Sequence, residues 1–398
     1  MSEWRTTTIG AIADIFDGPH ATPKRTDSGP WFLNIGSLIG GRLDLTESAH
    51  ISEEDFATWT RRVTPMAGDI LFSYETRLGQ AALMPTGLRA CLGRRMGLLR
   101  PHPGQVDSRC FLYAFLAPGF QEVIRQRRVH GATVDRIPLV EMPDWPIALP
   151  CLAQQQTIAA VLGALDDKIA VNQWIANTSN DLMKTLYERA IRQGVMTTLI
   201  GKAADVFDGP HATPNKTDSG PWFLSISSLK DGRLVLSESA HLSEPDFRRW
   251  TRRVVPLAGD ILFSYETRLG EAALMPPSVQ ACLGRRMALL RPRNGEVGPR
   301  TLLQAFLNKS FQSLIGQRAI HGATVDRIPL TSLPSWPIDL PTDNTRQLED
   351  VLSSIDDVAS SRERENERLA ELRDTLLPRL MSGEIRVRDA ERILEDAT

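Results

Sequence analysis

The chain repeats itself. FDGPHATP begins at Phe16 and again at Phe207, TDSGPWFL at Thr26 and Thr217, GDILFSYETRLG at Gly68 and Gly259, ACLGRRM at Ala90 and Ala281, and HGATVDRIPL at His130 and His321. The offset is 191 positions every time, and Phe16 to Pro150 laid without a gap over Phe207 to Pro341 gives 94 identities in 135 positions. A period this long exceeds any solenoid unit, so the repeat is two copies of one domain rather than an array. A chain of 398 residues has room for both copies to bury a core of their own.

After each copy the pattern changes. From Gln154 to Arg192 there is no proline, and Ile158, Leu162, Leu165, Ile169, Ile175, Leu182 and Leu186 fall at three-and-four spacing, which predicts one helix of roughly 58 Å. Leu348, Val351, Ile355, Val358, Leu369, Leu372, Leu376 and Leu380 predict a second, of roughly 50 Å. Both begin after a Leu-Pro and carry an apolar-Asp-Asp signature, Leu165-Asp166-Asp167 and Ile355-Asp356-Asp357, so the duplication includes the helix. Two long helices with one apolar stripe each are most simply buried against each other as an antiparallel coiled coil with pseudo-two-fold symmetry. The expected order is a globular copy at 1–150, a long helix at 151–196, a second copy at 197–341, a second helix at 342–383 and an acidic tail at 384–398. Within each copy WFLNIGSL, GDILFSY and RRMGLLRP read as strands and Asp107 to Arg128 as helix, giving an α/β domain.

Composition removes several classes of function. With 42% hydrophobic and 24% charged residues the chain is that of a folded soluble protein, and no apolar run approaches the roughly 20 residues of a membrane span. The N-terminus lacks the layout of a signal peptide, so the expected location is the cytoplasm. Cys91, Cys110, Cys151 and Cys282 form no CxxC pair, against a zinc site or a disulfide framework. There is no GxxxxGKS, GxGxxG, HExxH or GxSxG, and no Asn-Pro-Pro-Tyr or Asp-Pro-Pro-Tyr segment for adenine methylation. Pro143-Asp144 has the look of a nuclease carboxylate, but the second copy has Pro334-Ser335 and no Glu-x-Lys follows either. The expectation is a chain with no catalytic residues, no metal and no cofactor of its own.

The polar residues that both copies keep suit nucleic acid. Net charge is only −2, yet arginines sit beside glycines and aromatics: Arg94-Arg95 and Arg285-Arg286, Arg62 and Arg253, and Tyr74, Thr76 and Arg77 with Tyr265, Thr267 and Arg268. Arginine pairs bidentately with guanine or grips phosphate. His20 and His211, and His130, Thr133 and Arg136 with His321, Thr324 and Arg327, lie in loops where a hydrogen bond to base or phosphate is open to them. Lys24 and Arg25, matched by Asn215 and Lys216, are expected phosphate contacts. An exposed arginine pair can equally be a solvated face and Tyr74 a core residue. Trp31, Trp59, Trp145, Trp222, Trp250 and Trp336 read as core rather than stacking platforms.

Copy, long helix, copy, long helix resembles the specificity subunits of type I restriction-modification systems over essentially the whole chain. GDILFSYETRLGQAAL is similar to that family's Gly-Asp-Ile-Leu strand, GATVDRIPLVEMPDWPIALPCLAQQQTIAAVL to its junction into the spacer helix, and Leu377-Pro378-Arg379-Leu380-Met381-Ser382-Gly383-Glu384 to its closing segment. The resemblance implies that each copy is a target recognition domain reading one half of a bipartite site in double-stranded DNA, with the helices as a ruler. It implies docking of two DNA adenine methyltransferase subunits and, in a full complex, restriction/translocase subunits. S-adenosylmethionine, ATP and magnesium are then expected on those partners.

Two departures from the family pattern matter. LPCLAQQQ becomes LPTDNTRQ at the second junction, so docking there is expected to be asymmetric or looser. The two recognition domains usually differ, whereas these are close to identical, which predicts an interrupted palindrome with half-site centres roughly one DNA turn apart, about 34 Å. Asn34 against Ser225, Gly36 against Ser227 and Arg89 against Gln280 are places where that symmetry can relax. The rival readings are a specificity subunit of a type IIB-like or orphan methylation system, a coiled-coil scaffold that binds no DNA, and an enzyme with an unrecognised site in each copy.

Overall fold

The strand Ile70–Ser73 is buried at all four residues, as a central strand covered on both faces must be. It lies in a four-stranded antiparallel sheet in the order Ala13–Asp17, Met96–Pro101, Ile70–Ser73, Ala81–Leu83. A second sheet sets Thr26–Phe32 between Ala49–His50, antiparallel, and Ala90–Cys91, parallel. Arg5–Thr8 pairs with Pro146–Leu149, returning the end of the copy to its start and delivering the chain to the first long helix. The second copy repeats this topology, with Ala204–Asp208, Met287–Pro292, Ile261–Ser264 and Ala272–Leu274 as its four-stranded sheet and Val195–Leu199 paired to Pro337–Pro341.

This architecture comes from a computed structural model that describes residues 4–46, 48–131, 134–293, 297–322, 325–343 and 345–397. The long helices are Leu152–Gln193, of 42 residues, and Thr345–Met381, of 37. A further helix, Val387–Ala397, occupies the segment that the sequence marks only as acidic. The chain divides into two compact units, Met1–Ala170 with Asn366–Thr398 and Val171–Glu365, so the division cuts both long helices and not their ends.

Asp107 to Arg128 is not one helix. It is Ser108–Leu116 and Pro118–Arg127, broken at Ala117, whose ψ of 149° is the extended conformation imposed on a residue before proline. The second copy has Lys309 in place of Pro118 and keeps the break: Asn308 is extended and its side chain accepts from the Ser310 N–H at 3.0 Å. Around the inner helix the rings of Phe72, Phe115, Phe120 and Trp145 form a chain with centroids 5.6, 5.0 and 6.4 Å apart. Trp145 and Trp336 are core, as the sequence suggests, while Trp31, Trp59, Trp222 and Trp250 are half-buried.

In the first unit the long-helix segments belong to the same core. Leu162, Leu165, Leu369, Leu376 and Leu380 are buried with Trp145 and Phe111. Asp166 pairs with Arg373 at 3.1 Å and the Asn366 amide donates to the Ile169 carbonyl at 3.1 Å, so the two segments run antiparallel here. Asp166 also accepts from the Tyr113 hydroxyl at 2.7 Å and meets Arg42 at 3.4 Å, and Asp167 receives Arg109 through two bonds of 3.0 and 2.8 Å. Burial holds the Arg42 guanidinium below its ordinary pKa, with Asp166 opposing.

In the second unit the equivalent inner-helix arginine, Arg300, reaches Asp356 at 2.9 Å and Asp357 at 3.7 Å. Its helix, Pro299–Leu307, begins after Gly298, where the first copy has the capping Asp107. Glu349 from the long helix supplies the missing acceptor, taking the N–H groups of Arg300 and Thr301 at 3.0 and 2.9 Å and the Thr301 hydroxyl at 2.8 Å. Glu349→Ala is therefore expected to destabilise the second unit by about 2 kcal/mol, the scale of a lost charged cap. Hydrogen exchange should show faster exchange at the Arg300 and Thr301 amides, with the Cys110 amide under the Asp107 cap unchanged.

Candidate nucleic-acid interface

Three segments of the first unit converge with the turn at Arg95 at the end of its four-stranded sheet. The loop after Asp17 is tied to the sheet by the Gly18 N–H on the Met96 carbonyl at 3.0 Å, and a Cβ at Gly18 would lie 2.6 Å from that oxygen, so only glycine fits. The turn after Tyr74 is held by the Tyr74 N–H on the Arg95 carbonyl at 3.1 Å and by the Ser73 hydroxyl on the Arg77 carbonyl. The segment around Arg136 closes on itself through Val129 and adds a bridge to Glu75, with the Ile137 N–H on the Tyr74 carbonyl at 2.8 Å. The second unit repeats each tie at Gly209, Tyr265, Ser264, Ile320, Arg327 and Ile328.

At the centre sit two non-glycine residues with left-handed backbones. Thr76 and Arg95 have φ of 68° and 69°, and Thr267 and Arg286 have 69° and 71°. A side chain in this region costs roughly 1–2 kcal/mol, which surrounding bonds must offset. Arg95 donates to the Thr76 hydroxyl at 3.2 Å and pairs with Glu75 at 3.2 Å; Arg286 donates to Thr267 at 3.1 Å and pairs with Glu266 at 3.2 Å. The two strained residues thus hold each other, and the guanidinium is fixed before any ligand arrives.

Around this centre His20 and Arg62 share Asp17, at 2.9 and 3.8 Å, as His211 and Arg253 share Asp208 at 2.9 and 3.6 Å. His130 pairs with Asp135 at 2.9 Å and His321 with Asp326 at 3.0 Å. Arg77 reaches the Ile35 carbonyl at 3.4 Å, whereas Arg268 pairs with Glu271 at 3.1 Å, because the second copy has Glu271 where the first has Gln80. The side chains of Arg94, Arg136, Arg285 and Arg327 are exposed and have no hydrogen bond or ion pair among the described residues. Lys24, Arg25, Asn215 and Lys216 are exposed on the approach to the neighbouring sheet. Thr133 and Thr324 lie outside the described residues.

Tyr74 and Tyr265 are corrected from contact residues to core. Each is 5% exposed beneath the loop cluster, where burial, and then Asp17 or Asp208, holds the phenol well above its ordinary pKa. They shape the floor on which the arginines stand. The carboxylates Asp17, Glu75 and Asp135, with Asp208, Glu266 and Asp326, are the functional residues that a search for cations passes over. Each lies inside a repeated motif, FDGPH, YETR or TVDRI, but only Asp17 and Asp208 hold the basic residue of that motif, while Glu75 and Glu266 hold Arg95 and Arg286 and Asp135 and Asp326 hold His130 and His321.

In the first unit the cluster can present one fixed guanidinium, Arg95, a loosely paired one, Arg62, and two unpaired ones, Arg94 and Arg136, to acceptors on phosphates or base edges, and the second unit repeats this set. Among the described residues no group of three His, Cys, Asp or Glu side chains is placed to hold a metal ion, and no helix is long and apolar enough to cross a membrane. Arg94→Ala and Arg285→Ala are expected to leave stability within about 0.5 kcal/mol of the parent, as exposed sites do. Each should weaken duplex binding and, if it grips phosphate, reduce the slope of log affinity against log salt by about 0.9. Fluorescence anisotropy titrations across a salt series check this.

No protein-family model matches the sequence. The chain is similar to a protein of Methanocaldococcus jannaschii named as a type I restriction enzyme MjaX specificity subunit, 22% identical over 415 aligned positions that cover 97% of this chain and 94% of the relative. Its fold is similar to the crystal structure of the S subunit of a type I restriction-modification system from M. genitalium, with a TM-score of 0.60, 15% identity, and coverage of 95% of this chain and 96% of that one. The whole-chain likeness to type I specificity subunits is thus found in sequence and in fold.

Proposed function

We propose that this chain is the DNA-specificity subunit of a type I restriction-modification complex, a recognition subunit with no reaction of its own. The observation that carries the reading is the loop cluster itself, present in both units with the same residues, the same left-handed positions and ion pairs of nearly the same length. Each unit reads one half of a bipartite site in duplex DNA. The long helices act as the ruler between the halves, and their antiparallel course in the first unit supports a pseudo-two-fold arrangement. Two adenine methyltransferase subunits dock on the chain and bring S-adenosylmethionine; restriction subunits bring ATP and magnesium.

Identical readers related by a two-fold axis read the same bases in inverted orientation. The expected site is an interrupted palindrome with half-site centres about 34 Å apart. The test is purification of the chain with the methyltransferase encoded beside it, followed by mapping of methylated adenines in a host that carries both. A complex of two methyltransferases per chain that methylates one interrupted palindrome is the expected result. Failure to form a complex, or methylation at two unrelated half-sites, contradicts it.

A further inference from the structure

Beside its loop cluster the second unit carries an arginine, Arg249, that the first lacks. In the second unit Asp208, His211, Arg249, Trp250, Arg252 and Arg253 line a pocket of about 370 Å³ beside the loop that follows Ala204–Asp208, with Pro210, Val254 and Leu283 completing its wall. The corresponding residues of the first copy are Asp17, His20, Thr58, Trp59, Arg61 and Arg62, so threonine stands where the second copy has Arg249. Three arginines and one carboxylate therefore line the pocket, where the first copy offers two arginines at the matching positions.

The arrangement favours an anion. Arg249 lies with its Cζ 5.1 Å from the centre of the Trp250 ring, Arg253 is only 3.6 Å from Asp208, and Arg252 is exposed with no ion pair or hydrogen bond among the described residues. A tetrahedral oxyanion supplies acceptors to several guanidiniums together. The pocket is continuous with the candidate interface, since Asp208 and His211 belong to both and His211 lies 3.5 Å from the Tyr265 hydroxyl.

We infer that this pocket binds a phosphate of the DNA backbone next to the half-site read by the second unit, a contact that the first unit, with Thr58 in place of Arg249, does not make. The inference rests on the specificity reading above. Arg249 adds grip without changing which bases are read, because phosphate contacts position a protein and base contacts specify.

The experiment measures binding of the full chain, in complex with its methyltransferase, to a duplex carrying the methylated site, over a salt series, for the parent, Arg249→Thr and Thr58→Arg. Threonine occupies the same place in the parent's own helix Glu53–Trp59, so the first variant keeps a residue that this fold already accommodates. Arg249→Thr is expected to flatten the slope of log affinity against log salt by about 0.9, roughly a three- to four-fold smaller loss of affinity between about 50 and 200 mM salt, with the methylated sequence unchanged. Thr58→Arg is expected to steepen it by a similar amount. Unchanged slopes in both variants overturn the inference. Inorganic phosphate at constant ionic strength separates the other source: a thermal shift of the DNA-free parent that Arg249→Thr abolishes, with the DNA slope unmoved, assigns the pocket to free phosphate and overturns the DNA assignment. A parent complex that does not bind duplex DNA contradicts the specificity reading itself.

Discussion

Each globular copy meets a long helix through one arginine at the start of its inner helix and an Asp-Asp pair on the long one, which orients an apolar contact that holds them together. Arg109 meets Asp167 in the first unit and Arg300 meets Asp356 in the second. The arginine lies at the foot of the buried inner helix against which the sheet packs. Their energies differ with burial. Asp167 is largely exposed, and such a pair contributes only about 0–1 kcal/mol. Asp166 is mostly buried under Tyr113, Arg42 and Arg373, where losing one partner of a pair costs about 3–5 kcal/mol because a charge is left without compensation. Cohesion in the first unit comes mainly from leucines of the helices and aromatics of the domain in a single core, and in the second from Tyr187 and Ile191 against the domain, with the charges choosing among the ways those apolar faces could meet.

Recognition surfaces need arginines that do not search for their targets. Arginine carries about 2 kcal/mol of rotamer entropy, part of which binding must otherwise remove. The strained turns at Thr76 and Arg95 remove it in advance by tying the guanidinium to Glu75 and to the threonine hydroxyl. Arg94 and Arg136, by contrast, stay loose. Each unit therefore combines a rigid centre with adaptable neighbours, a division that suits base edges at the centre and phosphates around it.

The repeat, the long helices and the central strands were legible because they rest on periodicity and on near-identity at a fixed offset. The break in the predicted helix at Pro118 was visible as a proline, yet its counterpart at Asn308 has none, since there a side-chain cap does the same work. The cap on the second inner helix was out of reach of any local reading, because Glu349 arrives from 48 residues beyond Thr301. Of the candidate site, the basic residues were found by type and by retention in both copies. Tyr74 and Tyr265 were misplaced because tyrosine suits a core and an interface equally well, and only packing decides. The carboxylates that pin the arginines escaped because an acidic residue at a DNA-binding surface looks unfavourable until its partner is seen.

The central claim is that two equal readers recognise equal half-sites in inverted orientation. Its most direct test compares the affinity of the methyltransferase complex for two duplexes that carry the mapped half-site twice at the native spacing, once as an inverted and once as a direct repeat. Tight binding to the inverted repeat is expected and, for the direct repeat, binding no tighter than to a single half-site. Equal affinity for both, or a preference for the direct repeat, contradicts it.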